Sequence, residues 1–123
     1  MSDAASSKII GESKTYTIAH IFYGVAKELD REGAKLNWTY KHEAQGLACD
    51  IGLLAARLME SIYVEPCRAN LLGDIAQLCY QYGRHGKAIL LVLKALDNNP
   101  PEEIKIKLDA LRTKALAAME AEQ

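Results

Sequence analysis

The sequence predicts an all-α fold of about five helices, and three observations carry that reading. Apolar residues recur at spacings of three and four along nearly the whole chain. No stretch alternates in the manner of a strand. Ala and Leu are abundant, whereas Pro, Phe and Trp are scarce. With 123 residues the chain has room for one domain with a real core and not for two. Its 50% hydrophobic and 25% charged residues are the balance of an ordinary globular protein. A formal net charge of -1 argues against a nucleic-acid binder that works by neutralising phosphates.

Residues 1–10 read as a flexible N-terminal arm ahead of a single helical domain over 11–123. The arm is small and polar, except for Ile9 and Ile10, and lacks helical periodicity. Met1 to Ser7 has neither the basic start nor the apolar run of a signal peptide. The most apolar run, Ala88 to Leu96, is broken by Lys94 and is too short to span a bilayer. Cys49, Cys67 and Cys79 are odd in number and widely spaced, which fits reduced thiols and a cytoplasmic location. Membrane insertion is not expected.

Helix one is expected from about Ser13, a plausible cap, to Glu32. Ile18, Ile21, Phe22, Val25 and Leu29 share one face, and Gly33 follows where a helix-ending glycine belongs. Helix two is expected from about Asn37 to Tyr63. Its stripe is Ala44, Leu47, Ala48, Ile51, Leu54, Ala55, Leu58 and Ile62, and it passes through Gly46 and Gly52 without losing phase. Pro66 marks the stop. Helix three spans about Cys67 to Tyr82, and Gly83 and Gly86 bracket a turn. Helix four spans about Lys87 to Asp97 and ends at Asn98-Asn99-Pro100-Pro101, where two prolines enforce the break. Helix five runs from about Glu102 to Ala121, with acids in its first turn and a stripe of Ile104, Leu108, Leu111, Ala115 and Met119. Short connections make successive helices antiparallel neighbours.

Residues 69–102 carry a further pattern. Leu72, Ile75, Ala76 and Cys79 stand at packing positions of a first helix. Gly83, Ala88, Val92, Ala95, Leu96 and Pro100 stand at the turn, second helix and closing proline of a 34-residue unit. This spacing resembles the tetratricopeptide (TPR) repeat, with Leu72 in place of its tryptophan and Cys79 in place of its tyrosine. Counting back one repeat fails, because the stripe of helix two runs straight through the place where a turn is needed. Counting forward puts Ile106 and Ala110 at the start of a unit that is never completed. The expected architecture is therefore a long antiparallel hairpin, one TPR-like hairpin and a C-terminal capping helix. A lone repeat cannot bury its own face without such a cap.

The resemblance implies a non-catalytic protein-binding module, a small chaperone or adaptor that buries an amphipathic segment of another protein. In size, acidity and helical content the chain is similar to the small chaperones of bacterial type III secretion. The partner-binding residues so implied are Asn70, Gly73, Gln77, Tyr80 and Gln81, on the outward face of helix three. They include no Lys or Arg that would clamp a C-terminal carboxylate, so an apolar helix or amide-rich segment is the expected ligand. Tyr16, Tyr23, Trp38 and Tyr40, together with Phe22, read as an aromatic cluster closing the first hairpin, with Trp and Tyr suited to a partner surface. The alternative is a self-associating structural subunit that uses the stripe of helix two as a dimer seam.

Nothing in the pattern indicates an enzyme or a cofactor. His20, His42 and His85 lack the short helical spacing of metal ligands, and His85, between glycines, is expected in solvent. Cys49 and Cys79 fall on or beside apolar stripes as small hydrophobes, and Cys67 is the thiol expected to be exposed. Gly83-Arg84-His85-Gly86 is too short for a phosphate loop and follows no strand. Lys105, Lys107, Arg112 and Lys114 alternate with acids and read as a solvated face.

Overall fold

The computed structural model describes the backbone of residues 3–61 and 69–122 and the side chains of residues 14–60 and 69–122. Five α-helices account for almost all of it: α1 (Asp3–Gly33), α2 (Trp38–Leu58), α3 (Ala69–Gln81), α4 (His85–Asp97) and α5 (Glu102–Ala121). A short 3-10 turn, Met59–Ser61, follows α2. No strand occurs among the described residues, so the fold is all-α. The chain forms two compact units, Met1–Tyr63 and Val64–Gln123. Pro66 and Cys67, read as a helix stop and an exposed thiol, lie outside the described residues.

In the first unit, α2 runs back along α1. The helix begins at Asp3 and not near Ser13, so the backbone from residue 3 to residue 10 is helical where an arm is expected. That stretch holds Ala4, Ala5 and Lys8, all strong helix formers. The Asn37 side chain caps α2 by accepting a hydrogen bond from the Tyr40 backbone N–H at 3.3 Å. The helix ends at Leu58, five residues before the expected Tyr63.

The seam of this hairpin is made of small residues. Ala19 and Ala26 are fully buried, and Gly33 continues their seven-residue spacing. Ala48, Cys49, Gly52, Ala55, Ala56 and Met59 are buried on the α2 side. Gly33 closes the seam by contact and not by a positive φ: a Cβ there would fall 2.6 Å from the Ala44 Cβ. The face expected to be core on α1 turns outward instead, with Ile18 47%, Ile21 59% and Val25 44% exposed. Phe22 and Leu29, at its edge, are half-buried. On α2 the expected stripe splits in the same way. Ala48 and Ala55 are buried, Ile51, Leu54 and Leu58 are half-buried, and Leu47 is exposed. The physical reason is distance: helices that meet through Ala and Gly approach closely, and that contact has no room for Ile or Leu.

The second unit is built on large aliphatic residues. Leu72, Ile75, Ala76 and Cys79 of α3 and Ala88, Val92 and Ala95 of α4 are fully buried, as their spacing predicts. Leu71 and Leu78 are buried as well, so α3 buries about half of its circumference. The chain reverses after α3 at Gly83, whose φ of +80 lets the Gly83 N–H reach the Tyr80 carbonyl (3.2 Å) and the Arg84 N–H reach the Cys79 carbonyl (2.8 Å). Asn99, at φ 49, ends α4 in the same left-handed region, and Asn98 donates its side-chain N–H to the Lys94 carbonyl at 2.9 Å. Pro100 and Pro101 follow, and the Pro101 carbonyl accepts the Lys105 N–H at 2.9 Å to start α5. Leu108, Leu111 and Ala115 of α5 are buried, whereas Ile104 and Met119 are half-buried. Ile106 and Ala110, which count forward as packing residues, are exposed, as on a helix with no further neighbour.

Candidate functional site

A recess that brings several of the expected partner-binding residues together lies between α3 and α5. It has a volume of about 290 Å³. Asn70, Gly73, Asp74 and Gln77 form its α3 wall; Ile104, Lys107, Leu108, Leu111 and Lys114 form most of the opposite wall. Both walls follow from helix geometry. Asn70 and Gln77 are seven residues apart, as are Lys107 and Lys114, so each pair projects from one face two turns apart, roughly 10.5 Å along its helix. The floor is apolar because Leu108 and Leu111 are buried there. Gly73 lets the helices close, since a Cβ at that position would fall 2.8 Å from Leu108 Cδ2. The outcome is a groove with an aliphatic floor, two amides and the Asp74 carboxylate on one rim and two ammonium groups on the other.

Three of the five α3 residues expected to bind a partner therefore share this groove: Asn70, Gly73 and Gln77. Tyr80 does not line it. That ring is half-buried against His85, with centroids 5.5 Å apart and planes tilted by 53°. Gln81 is exposed beyond the groove lining. Lys107 and Lys114 are exposed, as expected of the basic face of α5, and they line the groove as well. Sequence reasoning missed them because it considered the groove from helix three alone. Their seven-residue spacing, in phase with the apolar stripe of α5, is the signal that could have found them.

His85 differs from expectation too. It is the first residue of α4, its side chain is only 13% exposed, and Nδ1 lies 2.9 Å from Glu122 Oε1. Tyr80 and Glu122 both pack against it, which a turn sequence alone does not reveal.

The aromatic residues of the first unit do not form one cluster. Tyr16 is half-buried and meets His20 edge-on at 5.7 Å. It lies 17 residues before Gly33, roughly 25 Å along α1 from the hairpin turn. Tyr23 is half-buried beneath the Lys27 ammonium group at 5.6 Å. Trp38 is 75% exposed at the turn, with His42 edge-on at 4.6 Å. Tyr40 is 59% exposed beside it in sequence. A single cluster fails because Tyr16 lies more than four helical turns from the end of α1, where Trp38 and Tyr40 stand.

Cys49 and Cys79 are buried thiols outside any disulfide. Among the described residues no three His, Cys, Asp or Glu side chains converge in a way that could hold a metal ion. Among them also, no helix is long and apolar enough to cross a membrane. Set against family models, curated proteins and solved structures, the chain matches none of them.

Proposed function

We propose that the protein is a non-catalytic binding module, a small TPR-like chaperone or adaptor that holds an amphipathic segment of another protein in the groove between α3 and α5. The observation that carries this reading is the groove itself, with the apolar floor of Leu108 and Leu111 and the polar rims of Asn70, Gln77, Lys107 and Lys114. A helical or extended segment supplies apolar side chains to the floor and backbone or side-chain acceptors to the rims. Burial of the Tyr, Leu and Ile side chains of such a segment keeps it from aggregating before it reaches its destination. The burial of Leu72, Ile75, Ala76, Cys79, Ala88, Val92 and Ala95 supports a repeat-like hairpin, and α5 supports the role of a cap. With Asp74 on one rim and two lysines on the other, the expected ligand widens from an amide-rich segment to one that also carries charged side chains.

The experiment is affinity capture from a native cell extract with the wild-type chain, a groove variant carrying Gln77→Lys and Lys107→Glu, and a control carrying Trp38→Ala. The expected result is a stoichiometric protein partner that the wild type and the Trp38 control retain and the groove variant loses. A partner kept by the groove variant, or none captured by the wild type, overturns the proposal.

A further inference from the structure

The first unit carries a surface that the groove does not use. On α1, Lys14, Ile18, Ile21, Val25, Glu28 and Glu32 follow one another at spacings of four and three, which makes one seam of a helix. Its centre is three exposed β-branched residues. On α2, Tyr40, Leu47, Ile51, Leu54 and Leu58 keep the same kind of spacing, and all are exposed or half-buried. At 100° per residue, the α1 stripe stands roughly 110° round from the Ala19–Ala26–Gly33 line, and the α2 stripe roughly 125° round from its own buried line, in the same rotational sense. Two antiparallel helices present equal rotations to the same side. Both stripes therefore lie on one broad face of the hairpin.

The charges on α1 point to what covers this face. Lys14 stands at one end of the seam; Glu28 and Glu32 stand at the other. Within the chain Glu28 pairs with Arg31; Glu32 pairs with Arg31 and with Lys35, both at 3.2 Å. A carboxylate has several acceptor sites, so these pairs leave room for a further cation. A second α1 laid parallel sets lysine on lysine and acid on acid. One laid antiparallel sets each Lys14 on the acidic end of the other and joins the three β-branched residues at the centre. The seam is thus self-complementary under a two-fold axis, the property of an isologous dimer interface. We propose that this face docks a second copy of the chain, so that two α1–α2 hairpins form an antiparallel four-helix bundle.

The test is sedimentation equilibrium of the full chain over a wide concentration series. The expected result is a species of twice the 13.6 kDa chain mass. Ile21→Glu is expected to raise the dimer dissociation constant on the order of tenfold or more, as for a central interface residue. Lys14→Glu weakens the dimer several-fold, and adding Glu32→Lys to it restores most of the loss. Circular dichroism reports whether each variant keeps its helices; if Ile21→Glu loses them, the charge swap decides. A monomer at every concentration overturns the proposal, as does a dimer indifferent to the swap. The groove variant Gln77→Lys and Lys107→Glu is expected to leave the dimer mass unchanged, so this inference and the proposed function fail separately.

Discussion

The two units of this chain solve helix packing in opposite ways. In the first, Ala19, Ala26 and Gly33 meet Ala48, Cys49, Gly52 and Ala55, and the large aliphatic side chains of α1 face outward. In the second, Leu72, Ile75, Val92, Leu108 and Leu111 fill the interior. The difference teaches that residue size, and not apolarity alone, selects the inner face. A seam of small residues draws two backbones together and leaves bulky neighbours on the outside, free for another surface. A seam of large residues holds the backbones apart and consumes them.

This contrast can be broken most strongly in the second unit. Leu72→Ala empties a fully buried site and is expected to cost about 2–5 kcal/mol, read by urea unfolding. In the first unit the sensitive change runs the other way, from small to larger. Gly33→Ala sets a Cβ against Ala44, at 2.6 Å before relaxation, and is expected to cost about 1–3 kcal/mol. Hydrogen exchange sharpens the comparison, since each substitution should lower protection chiefly in its own unit. Asn37→Ala removes the side-chain cap of α2 and is expected to cost about 1 kcal/mol in the same unfolding assay. The smallest effect has the opposite sign. Gly24 lies in the middle of α1 with nothing within 4 Å of where a Cβ would stand. Gly24→Ala should raise the stability of the first unit by about 0.5–1 kcal/mol. An increase at Gly33 or a loss at Gly24 would show that the two positions have been assigned to the wrong faces.

The same contrast explains what was legible in the sequence. Helix number and type could be read throughout, because every helix carries its own periodicity and its own breakers, such as Gly83 and Pro100-Pro101. Most of the interior of the second unit, Leu72, Ile75, Ala76, Cys79, Ala88, Val92 and Ala95, could be read from the sequence, because there large and small apolar residues fall on the same face. On α1 they fall on adjacent faces. Periodicity found the Ile18–Ile21–Val25 stripe, but only the partner helix shows that the Ala19–Ala26 line goes inside. The groove was half legible for a related reason. Asn70, Gly73 and Gln77 could be placed on one face of α3, whereas Lys107 and Lys114 become part of it only when α5 packs alongside. Tyr80 falls outside the groove lining, and its ring packs with His85, a contact across the turn at Gly83.

The order of the helices has a consequence for how the molecule is made. Within each unit the main packing partner of a helix is its neighbour in sequence: α1 with α2, α3 with α4, α4 with α5. Short loops therefore bring together almost all the surfaces that must meet, and the loop-closure entropy opposing those contacts is small. Such a chain is expected to fold in microseconds to milliseconds. On the ribosome the α1–α2 hairpin can close as soon as its own residues have emerged, before α3 leaves the ribosome. The outward aliphatic stripe of α1 would then be present on every nascent chain, so translation rate and neighbouring polysomes, and not only the concentration of finished protein, would govern what that stripe first meets.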